Sequence, residues 1–241
     1  MENHRIRYGA ISGLALAALF IIAFALDLTI IGSTGGNPVL DPGNIGPDLL
    51  RAQDSTPWLI EGWVYTLAVV ATPMFMLAAY WTLRDDRDRG LPAVGLVAAV
   101  IFWILHTIHN ATIVTVLAFL APSYVGGERN AAITEGLAAT LVTFANVNFS
   151  FGLSVGLVFL VSSLAALGVA TLRGRHLPTW TGYAALVSAA LMSISVFGGQ
   201  TVIAGILGWV LFITWVIGTS TSMARSGTTG TSVAAATQAF D

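Results

Sequence analysis

Two histidines inside a long apolar stretch are the residues of this chain best suited to chemistry. His106 and His109 lie in the run Trp103–Asn110, and a spacing of three places both imidazoles on one face of a helix. Imidazole titrates near neutral pH and is also a common metal ligand. Asn110 follows directly and adds an amide to the same stretch. The pattern predicts a polar site within a segment that is otherwise apolar.

Two carboxyl residues are expected at a similar depth in neighbouring apolar stretches. Asp27 lies near the outer end of the first stretch, and Glu61 lies near the outer start of the second. The amides of Asn146, Asn148 and Gln200 are expected at a comparable level. Ionisable groups are costly to bury in hydrocarbon, so their convergence predicts an outward-facing polar site. Such a site would bind, sense or transport a small molecule or a cation.

Metal binding is the main alternative for these residues. His106 and His109, with an oxygen from Asp27 or Glu61, would complete a two-histidine, one-carboxylate set for a divalent metal. The protein would then be a membrane metalloprotein or oxidoreductase. Haem is a further alternative, limited to a single axial histidine, because two axial ligands approach the iron from opposite faces.

A purely structural role is also open. In that case His106 and His109 hydrogen-bond to backbone carbonyls or to Asn and Thr side chains of neighbouring helices. Asp27 and Glu61 would then reach lipid headgroups or water. An accessory subunit of a membrane complex, whose surface matters more than its interior, is a third alternative function.

Several other functional classes have no support in the sequence. The chain carries no glycine-rich phosphate loop, no Gly-x-Ser-x-Gly elbow and no His-Glu-x-x-His motif, so no catalytic residue is predicted and an enzyme is disfavoured. It has no lysine for a retinal Schiff base and no cysteine for a thiolate metal site. The net charge of −2 gives no reason to expect a nucleic-acid partner.

The elements that position these residues are membrane-spanning helices. Hydrophobic residues make up 56% of the chain and charged residues 9%. A helix needs about 20 apolar residues to cross the hydrocarbon core. The sequence predicts an all-α polytopic bundle of six transmembrane helices in one domain, residues 1–222, in contact with the lipid bilayer. The predicted spans are Tyr8–Ile31, Trp58–Leu83, Leu91–Ala121, Phe149–Leu172, Trp180–Val196 and Val202–Ser220.

Two outer connections, residues 33–57 and 122–148, are expected to form a cap. Turn-forming Gly, Pro, Asn and Asp predict an irregular structure for the first of them. In the second, Ala131–Ala145 is expected to form a separate outer helix that breaks near Asn146. Residues 223–241, rich in Ser, Thr, Gly and Ala, are predicted to be a disordered cytoplasmic tail.

Orientation and packing follow from two further patterns. Eight arginines fall on one side of a six-span arrangement and only Arg51 and Arg129 on the other, which predicts that both termini are cytoplasmic. Gly9 and Gly13, four residues apart, predict a close helix contact. That contact lies either within the chain or in a homo-oligomer.

The stretch Leu172–Gly182, Leu-Arg-Gly-Arg-His-Leu-Pro-Thr-Trp-Thr-Gly, resembles a broad group of uncharacterised bacterial six-span inner-membrane proteins. In that group a span ends in a basic turn, a Leu-Pro-x-Trp motif opens the next helix, and a Trp-containing span closes the fold. The start of the third span at Arg89-Gly90-Leu91 is similar too. The resemblance implies a multi-pass protein of the bacterial inner membrane, and it implies no activity or ligand.

Overall fold

A computed structural model describes residues 2–34, 40–53, 56–84, 89–127, 130–148, 154–174, 176–197 and 202–238. Within these ranges the chain is helical and contains no strand, so the predicted all-α class is confirmed. The α-helices are α1 (Glu2–Thr34), α2 (Ile45–Gln53), α3 (Thr56–Leu83), α4 (Gly90–Thr115), α5 (Ala121–Val125), α6 (Ala131–Asn148), α7 (Val155–Arg173), α8 (Thr179–Phe197) and α9 (Val202–Gln238).

Two short turns complete these elements. A 3-10 turn, Pro42–Asn44, precedes α2. A π-helical turn, Val116–Leu120, joins α4 and α5 into one rod.

Five stretches of the described chain are long and apolar enough to cross a membrane. They are His4–Thr29, Thr56–Leu83, Gly90–Val125, Val155–Arg173 and Ile203–Arg225. The outward faces of these helices carry large apolar side chains, including Val70, Val97 and Ile203. The structure is therefore compatible with an integral membrane protein whose apolar helices contact lipid.

The long helices are arranged in a closed ring that follows the chain order. Helices α1, α3, α4, α7, α8 and α9 each pack against the next, and α9 packs back against α1. Fully buried aromatic and aliphatic side chains fill the interior, among them Phe75, Phe102, Leu164, Phe212 and Trp215. Because every long helix has two neighbours in the ring, side chains from non-consecutive helices meet in its interior.

Small residues allow the helices of this ring to approach closely. Gly9 packs against Ala78 of α3, and Gly13 packs against Phe75 of α3 and Ser220 of α9. The close contact predicted for the two glycines is thus made within the chain. A homo-oligomer stays a prediction.

The same contacts bring one set of helix ends together. The start of α1 and the end of α3 meet where Gly9 contacts Ala78, and the end of α9 joins them through Ser220. We call this side of the bundle the arginine end, because it carries Arg5, Arg7, Arg84, Arg89, Arg173 and Arg225.

A second core lies toward the opposite end and forms the cap. Residues of α2, of the start of α3, of the Val116–Leu120 turn and of α6 are buried together there, including Leu49, Trp58, Leu120 and Val142. The separate helix predicted near Ala131–Ala145 is confirmed as α6. The irregular structure predicted for residues 33–57 is wrong in part, because α2 forms there and buries Ile45, Leu49 and Ala52 as an apolar face.

The cap rests on an extension of the third long helix. The rod from Gly90 to Val125 has 36 residues. At 1.5 Å per residue it is about 54 Å long, well beyond a hydrocarbon core of about 30 Å. Helix α9 also runs past residue 222, where the sequence predicts the tail to begin, and Met223 is fully buried. Disorder in the remaining tail stays a prediction.

Candidate functional site

The carboxyl side chains of Asp27 and Glu61 meet between α1 and α3. The two carboxyl groups lie close enough to interact directly. Tyr65, one turn after Glu61 on α3, donates its hydroxyl to Oδ2 of Asp27 at 3.1 Å. An ionised carboxylate only accepts hydrogen bonds, so a bond between two carboxyl groups requires one of them to hold a proton. We call Asp27 and Glu61 the carboxyl pair.

Glu61 belongs to the protein interior. Its side chain is only 8% exposed, and Oε2 has no hydrogen-bond partner among the described residues. The burial of Glu61 therefore argues against the alternative that it reaches lipid headgroups. Asp27 is less buried, with part of its side chain exposed. A buried carboxyl oxygen without a partner is costly, and such atoms in folded proteins usually meet a water, an ion or a ligand.

His106 lies beside this group on α4. It is 3% exposed, and its ring centroid is 6.5 Å from that of Tyr65 and 5.2 Å from that of Phe102. The structure thus brings Asp27, Glu61 and His106, from three different helices, into one region. Tyr65 is the residue that links them, and it does not stand out in the sequence. Its only signal is its position four residues after Glu61, on the same helix face.

His109 points to a different neighbour. Its ring centroid is 6.3 Å from that of His106, and its Nδ1 lies 3.0 Å from the carbonyl oxygen of Ala145 on α6. For His109 the structural alternative, a hydrogen bond to a backbone carbonyl of another helix, is what the structure contains. His109 thereby joins the third long helix to the cap.

Asn110 lies at the level of the carboxyl pair. It follows His106 by four residues on α4, and Glu61 precedes Tyr65 by four residues on the antiparallel α3. Because Tyr65 faces His106, Glu61 and Asn110 occupy the same level. Asn110 is 6% exposed, and its Nδ2 has no hydrogen-bond partner in the described part of the chain. Two buried polar groups, one an acceptor and one a donor, are thus unpaired at one depth.

The other amides are not brought into this group. Asn148 donates its Nδ2 to the carbonyl oxygen of Phe144, at 2.8 Å, within its own helix. Asn146 is half-buried on α6, next to the Ala145 carbonyl that contacts His109. Gln200 lies outside the described residues.

The metal alternative loses its geometric basis. Within the described ranges, no group of three or more His, Asp or Glu side chains is arranged to hold a metal ion. His109 has turned its Nδ1 to the Ala145 carbonyl. The predicted set of His106, His109 and either Asp27 or Glu61 is therefore not assembled, although each of its two histidines lies near one part of the site.

Aromatic side chains separate this site from the arginine end. Phe20 contacts Tyr65 edge-on with ring centroids 6.1 Å apart, and Phe212 lies 5.7 Å from Phe20. Trp215 follows at 6.0 Å from Phe212. We call Phe20, Phe212 and Trp215 the aromatic column. It fills the centre of the ring below the carboxyl pair.

The electrostatics of the site are unbalanced. The carboxyl pair brings two acids together, and the arginines of the long helices lie at the arginine end. Counting 1.5 Å per residue, Asp27 is about 30 Å from Arg7 along α1, and Glu61 is about 34 Å from Arg84 along α3. At these distances the Coulomb interaction between the arginines and the pair is weak. The negative charge must therefore be compensated locally.

Comparisons with protein families, with characterised proteins and with solved structures found no match for this chain. A function therefore has to be argued from the geometry of Asp27, Glu61, Tyr65, His106 and Asn110.

Proposed function

We propose that the protein is a six-span integral membrane protein that binds and translocates a cation, the proton included. The binding site is the carboxyl pair with Tyr65, His106 and Asn110, which together we call the carboxyl site. The observation that carries this proposal is the contact of Asp27 with Glu61 inside an apolar bundle. Two acids from different helices, placed together in a membrane, mark cation and proton pathways more often than they stabilise a fold.

The ring of helices supports a count of six spans. Helix α8 has 19 residues, as many as α7, and packs between α7 and α9. Counting it with the five long apolar stretches gives six spans, with both chain ends on one side. That side is the arginine end, and positively charged flanks stay in the cytoplasm, so we assign both termini to the cytoplasm. The resemblance noted at Leu172–Gly182 supports a bacterial inner membrane.

The depth of the site supports an outward-facing position. The carboxyl pair lies about one hydrocarbon thickness from the arginine end, so we place it near the outer boundary of the hydrocarbon core. The cap covers it, since Trp58 is buried in the cap core one turn before Glu61, and Gly62 packs on Val114 of α4. A cation from the outside would reach the carboxyl site by passing the cap, and the aromatic column would bar the way inward.

A flux measurement tests this function. The full chain is reconstituted in liposomes with a pH-sensitive dye inside, and proton movement is followed after a pH step with either choline or sodium as the only other cation. We expect flux through the wild-type chain and its loss in Glu61→Gln and Asp27→Asn. Glu135→Gln is the matched control, since Glu135 lies in the cap and accepts a hydrogen bond from Tyr124. Equal flux in Glu61→Gln and the wild type contradicts the proposal.

One observation favours a second candidate, an accessory subunit of a membrane complex. Helix α6 exposes Ile133, Leu137, Phe144 and Val147, and their spacing places them on one face. An unpartnered apolar face of this length on the cap is typical of an interface. Purification in mild detergent would then retain a stoichiometric partner that Leu137→Ser with Phe144→Ser releases.

A further inference from the structure

We infer that the carboxyl site takes up a small monovalent cation of the sodium type in exchange for a proton. This inference rests on the proposed function and names its ion. It follows from a charge count, a ligand set and the surroundings of the pair.

The charge count limits what the site can hold. Fully ionised, the carboxyl pair carries two negative charges, and burial of net charge in a low-dielectric interior is costly. A single proton shared between the Asp27 and Glu61 carboxyl groups leaves one negative charge on the pair. A single positive charge makes the site neutral. A second proton provides it, and so does one monovalent cation.

The ligand set consists of oxygens. Oε2 of Glu61 is buried and unpaired within the described chain, and Oδ2 of Asp27 accepts a hydrogen bond from the Tyr65 hydroxyl. Asn110, at the same level, has an unpaired Nδ2, and exchanging the two amide atoms would present its oxygen in that place. Carboxylate, amide and hydroxyl oxygens are the ligands of hard cations. A cation bound here would pair Oε2 of Glu61 and, once the two amide atoms are exchanged, the side-chain oxygen of Asn110.

A divalent cation fits the same place less well. It would neutralise the pair only after both carboxyl groups lose their protons, which removes the shared proton between them. The described residues also contain no group of three acids or histidines arranged around one point. A monovalent cation keeps the shared proton and needs only the second, exchangeable position.

Among the residues that the structure describes, few other ionisable groups face the pair. Helix α3 contributes Tyr65, and α4 contributes His106, with His109 directed to Ala145. On α6, Glu135 contacts Tyr124 within the cap, and on α2, Asp48 pairs with Arg51. Between residues 203 and 224, α9 carries no charged side chain. Competition between the cation and the proton at this site is therefore governed by the carboxyl pair and the nearby imidazole of His106.

Thermal unfolding of the purified full chain tests the inference. NaCl is titrated against choline chloride at constant ionic strength, at one alkaline and one acidic pH. With sodium at a hundredfold excess over its Kd, we expect Tm to rise by roughly 5 °C at alkaline pH. The rise should shrink at acidic pH, because protons then occupy the exchangeable position. In the pH range where protons compete with sodium, the apparent Kd for sodium should increase about tenfold for each unit by which the pH is lowered.

Variants and other ions test whether the sodium-dependent rise in Tm comes from binding at the carboxyl site. Glu61→Gln and Asp27→Asn should lose the sodium-dependent rise, Tyr65→Phe should weaken it, and Glu135→Gln should keep it. Circular dichroism and size-exclusion profiles confirm that each variant is folded, and Tyr65→Phe serves if an acid variant is not. The inference is overturned if Tm is equal in sodium and choline, or if potassium raises Tm as much as sodium does. It is also overturned if magnesium or calcium raises Tm instead, or if folded Glu61→Gln keeps the full sodium-dependent rise.

The two proposals fail separately. If Glu61→Gln abolishes proton flux in choline but sodium does not raise Tm, the inference is removed and the proposed function stands. A sodium-dependent rise in Tm that Glu61→Gln abolishes, without proton flux in either sodium or choline, retains the site and its ion and removes translocation.

Discussion

The Tyr65 hydroxyl lies 3.1 Å from Oδ2 of Asp27 and so links two neighbouring helices at the point where the acids of the bundle converge. Tyr65 also faces His106 on the third long helix. The Tyr65 side chain, on α3, thus contacts residues of both α1 and α4. Its hydrogen bond orients a carboxyl group whose second partner is Glu61.

Replacing Tyr65 by phenylalanine should lower the stability of the bundle. The change removes the hydrogen bond to Asp27 but keeps the ring contacts with Phe20 and His106. A hydrogen bond to a carboxyl group of this kind contributes about 1–3 kcal/mol. Thermal unfolding in detergent measures the difference. Tyr183→Phe is the control, since Tyr183 is exposed on α8, and equal Tm values for the two variants would show that the bond contributes nothing.

Replacing His109 by alanine should loosen the cap. Nδ1 of His109 contacts the Ala145 carbonyl oxygen at 3.0 Å and so links α4 to α6. Hydrogen exchange of α6 should become faster by roughly five- to tenfold, which corresponds to about 1 kcal/mol. Thr107→Ala is the control, because the exposed Thr107 bonds only within its own helix. Unchanged exchange in α6 would refute this role of His109.

Replacing Thr219 by valine should leave stability unchanged or raise it. The hydroxyl of Thr219 is fully buried and has no partner in the described part of the chain. Removing an unpaired buried polar group relieves a penalty of about 1–3 kcal/mol. Thr171→Val is the comparison, since the buried Thr171 hydroxyl donates to the Leu167 carbonyl. A lower Tm for Thr219→Val than for Thr171→Val would mean that the Thr219 hydroxyl has a partner in the membrane.

Replacing Gly13 by alanine should destabilise the ring. A methyl group there would overlap the Ser220 hydroxyl and the ring of Phe75, and Phe75 is fully buried. Overpacking of this kind costs about 1–3 kcal/mol. Gly136→Ala on α6 is the opposite case, since no atom lies within 4 Å of the added methyl group, and it should stabilise the helix by about 1 kcal/mol. The two Tm values should therefore move in opposite directions.

Sequence patterns predicted the helical class and the convergence of Asp27, Glu61 and His106, because burying an ionisable group in hydrocarbon constrains where it points. Tyr65 escaped notice, since a tyrosine near the end of a span usually anchors at the interface. Its role depends on which helix lies opposite, and that is a property of the ring. The ring order itself has no local signal in the sequence.

Two local predictions failed for physical reasons. Asn148 was expected near the site, but its amide reaches the Phe144 carbonyl of its own helix, an interaction that asparagine favours at helix ends. Turn-forming residues around Pro42 predicted an irregular segment, but the following Ile45, Leu49 and Ala52 form an apolar helix face that the cap buries. Asn148 bonds within its own helix, whereas α2 forms because the cap core buries its apolar face. Neither outcome can be read from the local residues alone.

The packing of α9 against α1 has a consequence for how the molecule is made. A chain that enters the membrane from its N-terminus places α1 there first, and α1 lacks one of its two neighbours until synthesis reaches α9. Gly13 and Phe75 are covered only when Ser220 and Trp215 arrive. The ring is therefore closed by α9. In a nascent chain interrupted before residue 215, the face of α1 that packs against α9 would be exposed to lipid or to a chaperone.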